Sequence, residues 1–513
     1  NCLPIQFVRY EKFGVFMGYG INFKQLAMLA LFFCSQSVFA QVNQSEDIYN
    51  VQYFKLDNGL EVYLKPRHHS KNVSLRFAVK VGSKDFTCDV RETAHYLEHL
   101  IFTGTAKYSE QQLEEIFKEF GGVTNASTGS YETIYEVSVH SDYTIPALGL
   151  YHQMLTSSEF SEKNISLSKN IVYREGRGKP SAFKRWLYDN DFQKYGINKA
   201  YEQIFSLDEF CPSLSNLDSI TRDTVLAAYN QYYVPNNMAV VAVGNFNTKV
   251  ILDFIKATFG KLAYKDINHR EVDHNPPNLT SQTVESTLMP LVDNEASVTF
   301  LFRTAGFDSL DSFPLVILAE YLNDKMYNAL RIEHGLSYNP STRRKESYKE
   351  GVLILSADVD VKDIEQTKRV MHDIVSNLRN NKINKQEFNR IKKYFLLLFD
   401  MGYESNDSFA GLYSSYWRDF EKDGVYVNFR EKIASVTSDE VENIISKYIV
   451  EDKLVIAIDR PTLTYTQLGW LITMVVIVVL LMLSYFYRNK IIQYYTKIRK
   501  RHDGISDVKS IAN

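Results

Sequence analysis

His95 and His99 stand four residues apart in the run DVRETAHYLEH (residues 89–99), and Glu98 lies between them. On a helix this spacing stacks both imidazoles on one face, one turn apart, with a carboxylate at the edge of the pair. Such a pair is a clamp for a divalent metal, and zinc suits nitrogen and oxygen donors. One further protein ligand would leave a position open for water, the arrangement of a hydrolytic rather than a structural zinc. No cysteine lies within the run to close the shell.

Periodicity supplies the third ligand. In SEKNISLSKNIVYREG a helix capped at Ser161 aligns Ile165, Ser168, Val172 and Glu175 by steps of three and four. A carboxylate on an otherwise apolar face is costly to bury without a partner, and a cation would be one. Glu175 is therefore the expected third ligand. The helix carrying the histidines is expected to start with Asp89 as a cap, answered by Glu92 three residues on, and to stop near Gly104.

The elements around these residues read as a mixed α+β fold. YFKLDNGLEVYLKP has an Asn58-Gly59 hairpin turn, and Val73 to Val81 alternates Leu75, Phe77, Val79 and Val81 with a polar face bearing Arg76 and Lys80. Ser109 to Phe120 reads as a helix, and Val123 to His140 as two extended runs around Gly129. The short run Asn125-Ala126-Ser127-Thr128 is either an ordinary sheet edge or an edge that accepts a substrate peptide as an added strand.

The pattern then repeats. LDSITRDTVLAAYNQYYVPNNMAVVAVGNF (217–246) recurs in IASVTSDEVENIISKYIVEDKLVIAID (433–459), and ASVTFLFRTAG (296–306) echoes VSLRFAVKVGS (73–83). The expected architecture is a tandem duplication of two similar α/β-sandwich units, 41–265 and 286–460, joined by a polar linker at 266–285. The second unit's counterpart of the metal helix, FPLVILAEYLNDKMYNALR, has no histidine, so one zinc per chain is expected.

With 513 residues, 45% of them hydrophobic, the chain can bury more than one core, while a net charge of -3 argues against nucleic-acid binding. Residues 1–16 precede a plausible start at Met17, and 17–40 reads as a signal peptide ending in Val38-Phe39-Ala40. Beyond it lie Cys88 and Cys211, a pair that an exported protein could join, although sequence gives no distance between them. Leu468 to Tyr487 is long and apolar enough for one transmembrane helix, and 488–513 is a basic tail expected in the cytoplasm. The two units are then extracytoplasmic, most simply on a bacterial inner membrane facing the periplasm.

The runs TAHYLEHLIFTGTAKY, GGVTNASTGSYETIYE, YYVPNNMAVVAVGNF and RIEHGLSY, with Glu175 at its distance from His99, resemble the pitrilysin/insulinase family of inverted-motif zinc metallopeptidases, which includes the processing peptidases. The resemblance runs from about Tyr53 to Arg460. It implies His95, His99 and Glu175 as zinc ligands and Glu98 as the base that activates water. It also implies Arg331 and Tyr338 as substrate contacts that stabilise the oxyanion, and Asn125 to Thr128 as the docking strand. Family members fold as a clamshell of two halves, and this chain supplies one half. The resemblance thus implies a homodimer with composite sites, each using zinc from one protomer and Arg331 and Tyr338 from the other, or else a different partner subunit. One departure is Ser168, where relatives carry a glutamate seven residues before the third ligand, which is expected to weaken zinc binding. The expected function is a membrane-anchored endopeptidase acting on short or unfolded peptides; the alternative is a weakly active peptide-binding scaffold.

Overall fold

The computed structural model describes residues 49–509 apart from 177, 193, 212–216, 288–289 and 424–427. The expected signal peptide and the residues before it lie outside the described residues. The first sheet contains β1 (Gln52–Lys55), β2 (Glu61–Pro66), β3 (Asn72–Val79), β4 (Val123–Thr128), β5 (Thr133–His140) and β6 (Met238–Gly244). Its order is β1-β2-β6-β3-β5-β4, with β6 parallel to β2 and antiparallel to β3. The β1–β2 hairpin turns at Gly59, whose φ of +85° lies in the region that favours glycine.

The second sheet contains β7 (Gln282–Ser286), β8 (Glu295–Ala305), β9 (Ser341–Glu346), β10 (Glu350–Asp360) and β11 (Val455–Asp459), in the order β7-β11-β8-β10-β9. Strand β11 lies parallel to β7 and antiparallel to β8. Position for position this repeats β2-β6-β3-β5-β4. Two sheets with one unusual strand order, each with its own apolar core, are what a tandem duplication produces. Strand β7 begins inside the 266–285 span expected as linker, because it fills the place that β2 holds in the first sheet.

Each sheet is covered on one face by its own helices and on the other by a helix from the opposite half. Helix Asn406–Asp423 lies across β3 and β6, and helix Gly196–Ile204 lies across β7, β8 and β11. Ala200, Tyr201 and Ile204 bury themselves among Leu301, Val352, Ile354 and Val455. This exchange corrects the expected polar face of β3. Arg76 is buried, with Glu136 at 2.8 Å and Asp407 at 2.6 Å. The alternation there marks the two covered faces, because the second cover arrives from more than 300 residues downstream and leaves no local trace.

A polar joint also ties the halves together. Glu350 of β10 accepts hydrogen bonds from the Ser206 amide (2.9 Å) and hydroxyl (2.7 Å), while His274 lies 3.4 Å away. Glu209 faces this pair and holds the Lys84 ammonium at 3.2 Å; burial pushes Lys84 down to about 8. Glu209, His274 and Glu350 are close enough to hold a cation. Ser206 occupies both Glu350 oxygens and Lys84 pairs with Glu209 Oε1, so we read this cluster as an ion-pair network.

Cys88 and Cys211 form a disulfide closing 123 residues of chain. It pins the turn leading into the metal helix to the segment after Gly196–Ile204, which rests on the second sheet. A Cys88→Ser/Cys211→Ser protein is expected to lose about 2–5 kcal/mol of stability, measured by denaturant unfolding against the oxidised parent; an unchanged midpoint would refute it.

Helix Tyr465–Lys509 is the last of the described elements. Its Tyr465–Arg499 portion is long and apolar enough to cross a membrane by length and composition, and none of its most apolar window is buried.

Candidate active site

The metal helix is Thr93–Ile101, and its apolar residues Tyr96, Leu97, Leu100 and Ile101 join the first core. That burial turns the face bearing His95 and His99 toward a cavity. The ligand helix, Glu162–Glu175, begins where expected: the Ser161 side chain accepts from the Asn164 amide, and Ile165, Ser168 and Val172 are buried. Tyr96 donates its hydroxyl to the Ile165 carbonyl, and the Asn164 side-chain amide donates to the Thr103 carbonyl at 3.3 Å. These bonds set the register of the two helices, and Glu175 at the end of the second comes to rest over the histidines.

The three donors form a near-equilateral triangle. His95 Nε2 and His99 Nε2 are 3.3 Å apart and lie 3.2 and 3.4 Å from Glu175 Oε2. Tetrahedral zinc with bonds of about 2.0–2.1 Å needs donors about 3.3–3.4 Å apart. The residues present therefore fit the ion without rearrangement.

Glu98 is buried beside the triangle and accepts a 2.6 Å hydrogen bond from the Thr128 hydroxyl on Oε2. Thr133 donates its own hydroxyl to the Val81 carbonyl at 2.9 Å and lies 3.4 Å from Thr128 Oγ1. Thr128, read from sequence as part of the docking run, thus has a second use: its side chain holds the carboxylate next to the metal ligands. Sequence spacing carried no signal for this, since residues 98 and 128 lie on different elements.

The start of the metal helix departs from expectation. Asp89 lies in the short turn Cys88–Val90 and accepts from the Thr87 hydroxyl. Glu92 occupies the cap position, but its side chain caps nothing; it reaches His95, Oε2 to Nδ1, at 3.0 Å. That hydrogen bond is the largest influence on His95 and raises its basicity against the opposing effect of burial. The three-residue spacing of Glu92 and His95 was the signal available.

Among the described residues strand β4 is an edge strand, paired only with β5. Residues Asn125 to Thr128 line the same cavity of about 1080 Å³ as His95, Glu98, His99 and Glu175. Arg331 and Tyr338 do not line it. Arg331 lies in a π-helical stretch, Tyr327–Glu333, where its guanidinium stacks 4.1 Å from the centre of the Tyr338 ring and donates to the Tyr338 carbonyl at 2.6 Å. Tyr338 is 79% exposed. The pair is therefore preformed, with Arg331 half-buried and the Tyr338 ring open to solvent.

Comparison with known proteins agrees with this geometry. Residues 61–182 match the family model "Insulinase (Peptidase family M16)", and residues 219–395 match "Peptidase M16 inactive domain". The chain is 21% identical over 363 residues to a Bacillus subtilis protein described as the uncharacterized zinc protease YmxG, covering 70% of this chain and 86% of that one. It is 33% identical over 226 residues to an Arabidopsis thaliana protein described as "Zinc protease PQQL-like", covering 41% of this chain but 22% of that one. The crystal structure of a protease from Helicobacter pylori superposes with a TM-score of 0.69 at 20% identity, covering 80% of this chain and 99% of that chain. A metal-site half and a second half whose counterpart of the metal helix carries no histidine, matched in order around a donor triangle of the size zinc requires, make this chain a zinc-dependent metallopeptidase of the M16 (insulinase) family.

Proposed function

We propose that the protein is a membrane-anchored endopeptidase that hydrolyses short or unfolded peptides on the extracytoplasmic side. The observation that carries this reading is the juxtaposition of the donor triangle, Glu98 and the open edge of β4 in one cavity. We assign the catalytic unit to residues 41–265, the companion unit to 286–460, the linker to 266–285, and the membrane span to 468–487 with a cytoplasmic tail at 488–513. The exposed apolar helix and the basic residues after it support that topology.

Peptide substrate would add to the edge of β4 through backbone hydrogen bonds, with Asn125 to Thr128 as its docking strand. Backbone pairing reads extension rather than sequence, so flexible peptides are favoured over folded proteins. His95, His99 and Glu175 would hold zinc, which would supply the Lewis acidity that activates water. Glu98 takes the proton from the attacking water and delivers it to the leaving amine. Thr128 holds one oxygen of Glu98, leaving the other for this transfer. Arg331 and Tyr338 would stabilise the oxyanion from a second protomer.

The test is hydrolysis of a quenched fluorescent peptide library by the detergent-solubilised full chain. Cleavage is expected to vanish with a zinc chelator and to return with added zinc. Absence of cleavage by a zinc-loaded dimer would replace this reading with that of a peptide-binding scaffold.

A further inference from the structure

We infer that Glu92 is the positioning residue of the metal site: its carboxylate fixes the tautomer and ring angle of His95 and so sets the affinity for zinc. The inference rests on the zinc-site assignment and goes beyond it.

Three observations carry it. Glu92 sits at the N-cap of the metal helix, where a carboxylate ordinarily accepts from the free amides of the first turn, yet it makes no capping bond. It points forward one turn to His95 Nδ1 at 3.0 Å. The opposite ring nitrogen, Nε2, is the one facing His99 and Glu175. A hydrogen bond from Nδ1–H to a carboxylate leaves the Nε2 lone pair directed at the metal and makes it a stronger donor.

The residues around the pair strengthen the assignment. Ser168, two turns before Glu175 on the ligand helix, is buried against the same cavity and offers only a hydroxyl. The supporting acid comes from the first turn of the metal helix instead. Where Ser168 offers no carboxylate, Glu92 supplies one to His95.

The measurement is zinc affinity of the full-length protein by chelator competition, together with the visible spectrum of the cobalt-substituted form. Glu92→Ala is expected to weaken zinc binding by about 10–100-fold and to change the cobalt bands. Glu92→Gln keeps an acceptor for Nδ1–H without the charge. It is expected to recover about half of that loss on a logarithmic scale, since a charge-assisted hydrogen bond is roughly twice as strong as a neutral one. His95→Ala serves as the reference for a broken site. Parental affinity and spectrum in Glu92→Ala, with His95→Ala impaired, would overturn the role of Glu92 alone; tight zinc binding by His95→Ala would overturn the site itself. A lower melting temperature of metal-free Glu92→Ala, with Glu92→Gln no better, would reassign Glu92 to holding the helix.

Discussion

Glu98→Gln is expected to keep its zinc and its fold while losing about 10²–10⁴-fold in kcat/KM for peptide hydrolysis. The geometry makes this substitution unusually clean. Glu98 is not one of the three donors of the metal triangle, so the ion keeps its ligands. The side-chain oxygen of glutamine can still accept the Thr128 hydroxyl that now meets Glu98 Oε2 at 2.6 Å, so the side chain keeps its place. What is lost is the capacity to accept and return a proton. The check is kcat/KM beside metal content and peptide affinity measured on the same preparation. A variant that binds peptide and zinc normally and still cleaves at the parental rate would remove Glu98 from the reaction.

The parts of this site that sequence revealed are those governed by a local period. His95, His99 and Glu175 each lie on a helix whose buried face is set by residues three and four away, so the direction of each side chain was readable. Glu92 was misread because two local rules compete at the same spacing. Asp89 with Glu92 resembles a capping box, while Glu92 with His95 is a side-chain pair, and packing chose the second. The burial of Arg76 escaped, and the Cys88–Cys211 pairing stayed open, for a different reason: Asp407 is 331 residues from Arg76, and Cys211 is 123 from Cys88. The strand order was legible only through the repeat, which told that two sheets would match before either could be drawn. The stacking of Arg331 on Tyr338 depends on a π-helical stretch and a tight loop that no periodicity encodes.

That exposed pair leads to the second large effect, which concerns two chains. Arg331 and Tyr338 stack on each other, yet they lie outside the cavity of His95, Glu98, His99 and Glu175. A composite dimer of the proposed kind would place the pair of one protomer at the zinc of the other. Glu98→Gln and Arg331→Ala proteins are then each expected to be nearly inactive alone, one lacking the base and the other the oxyanion contact. In a mixed dimer one site receives both defects, and the other receives an intact zinc half and an intact Arg331. When the two variants are co-expressed in equal amounts, half of the dimers are mixed and each carries one working site. The population should therefore regain about a quarter of parental activity. Sites completed within one chain cannot produce this recovery, because neither variant holds all the parts. Differently tagged copies purified through both tags would enrich the mixed dimer and raise the recovery to about half. If the doubly purified dimer stays inactive, Arg331 and Tyr338 do not serve the neighbouring zinc site, and a different partner subunit must complete it.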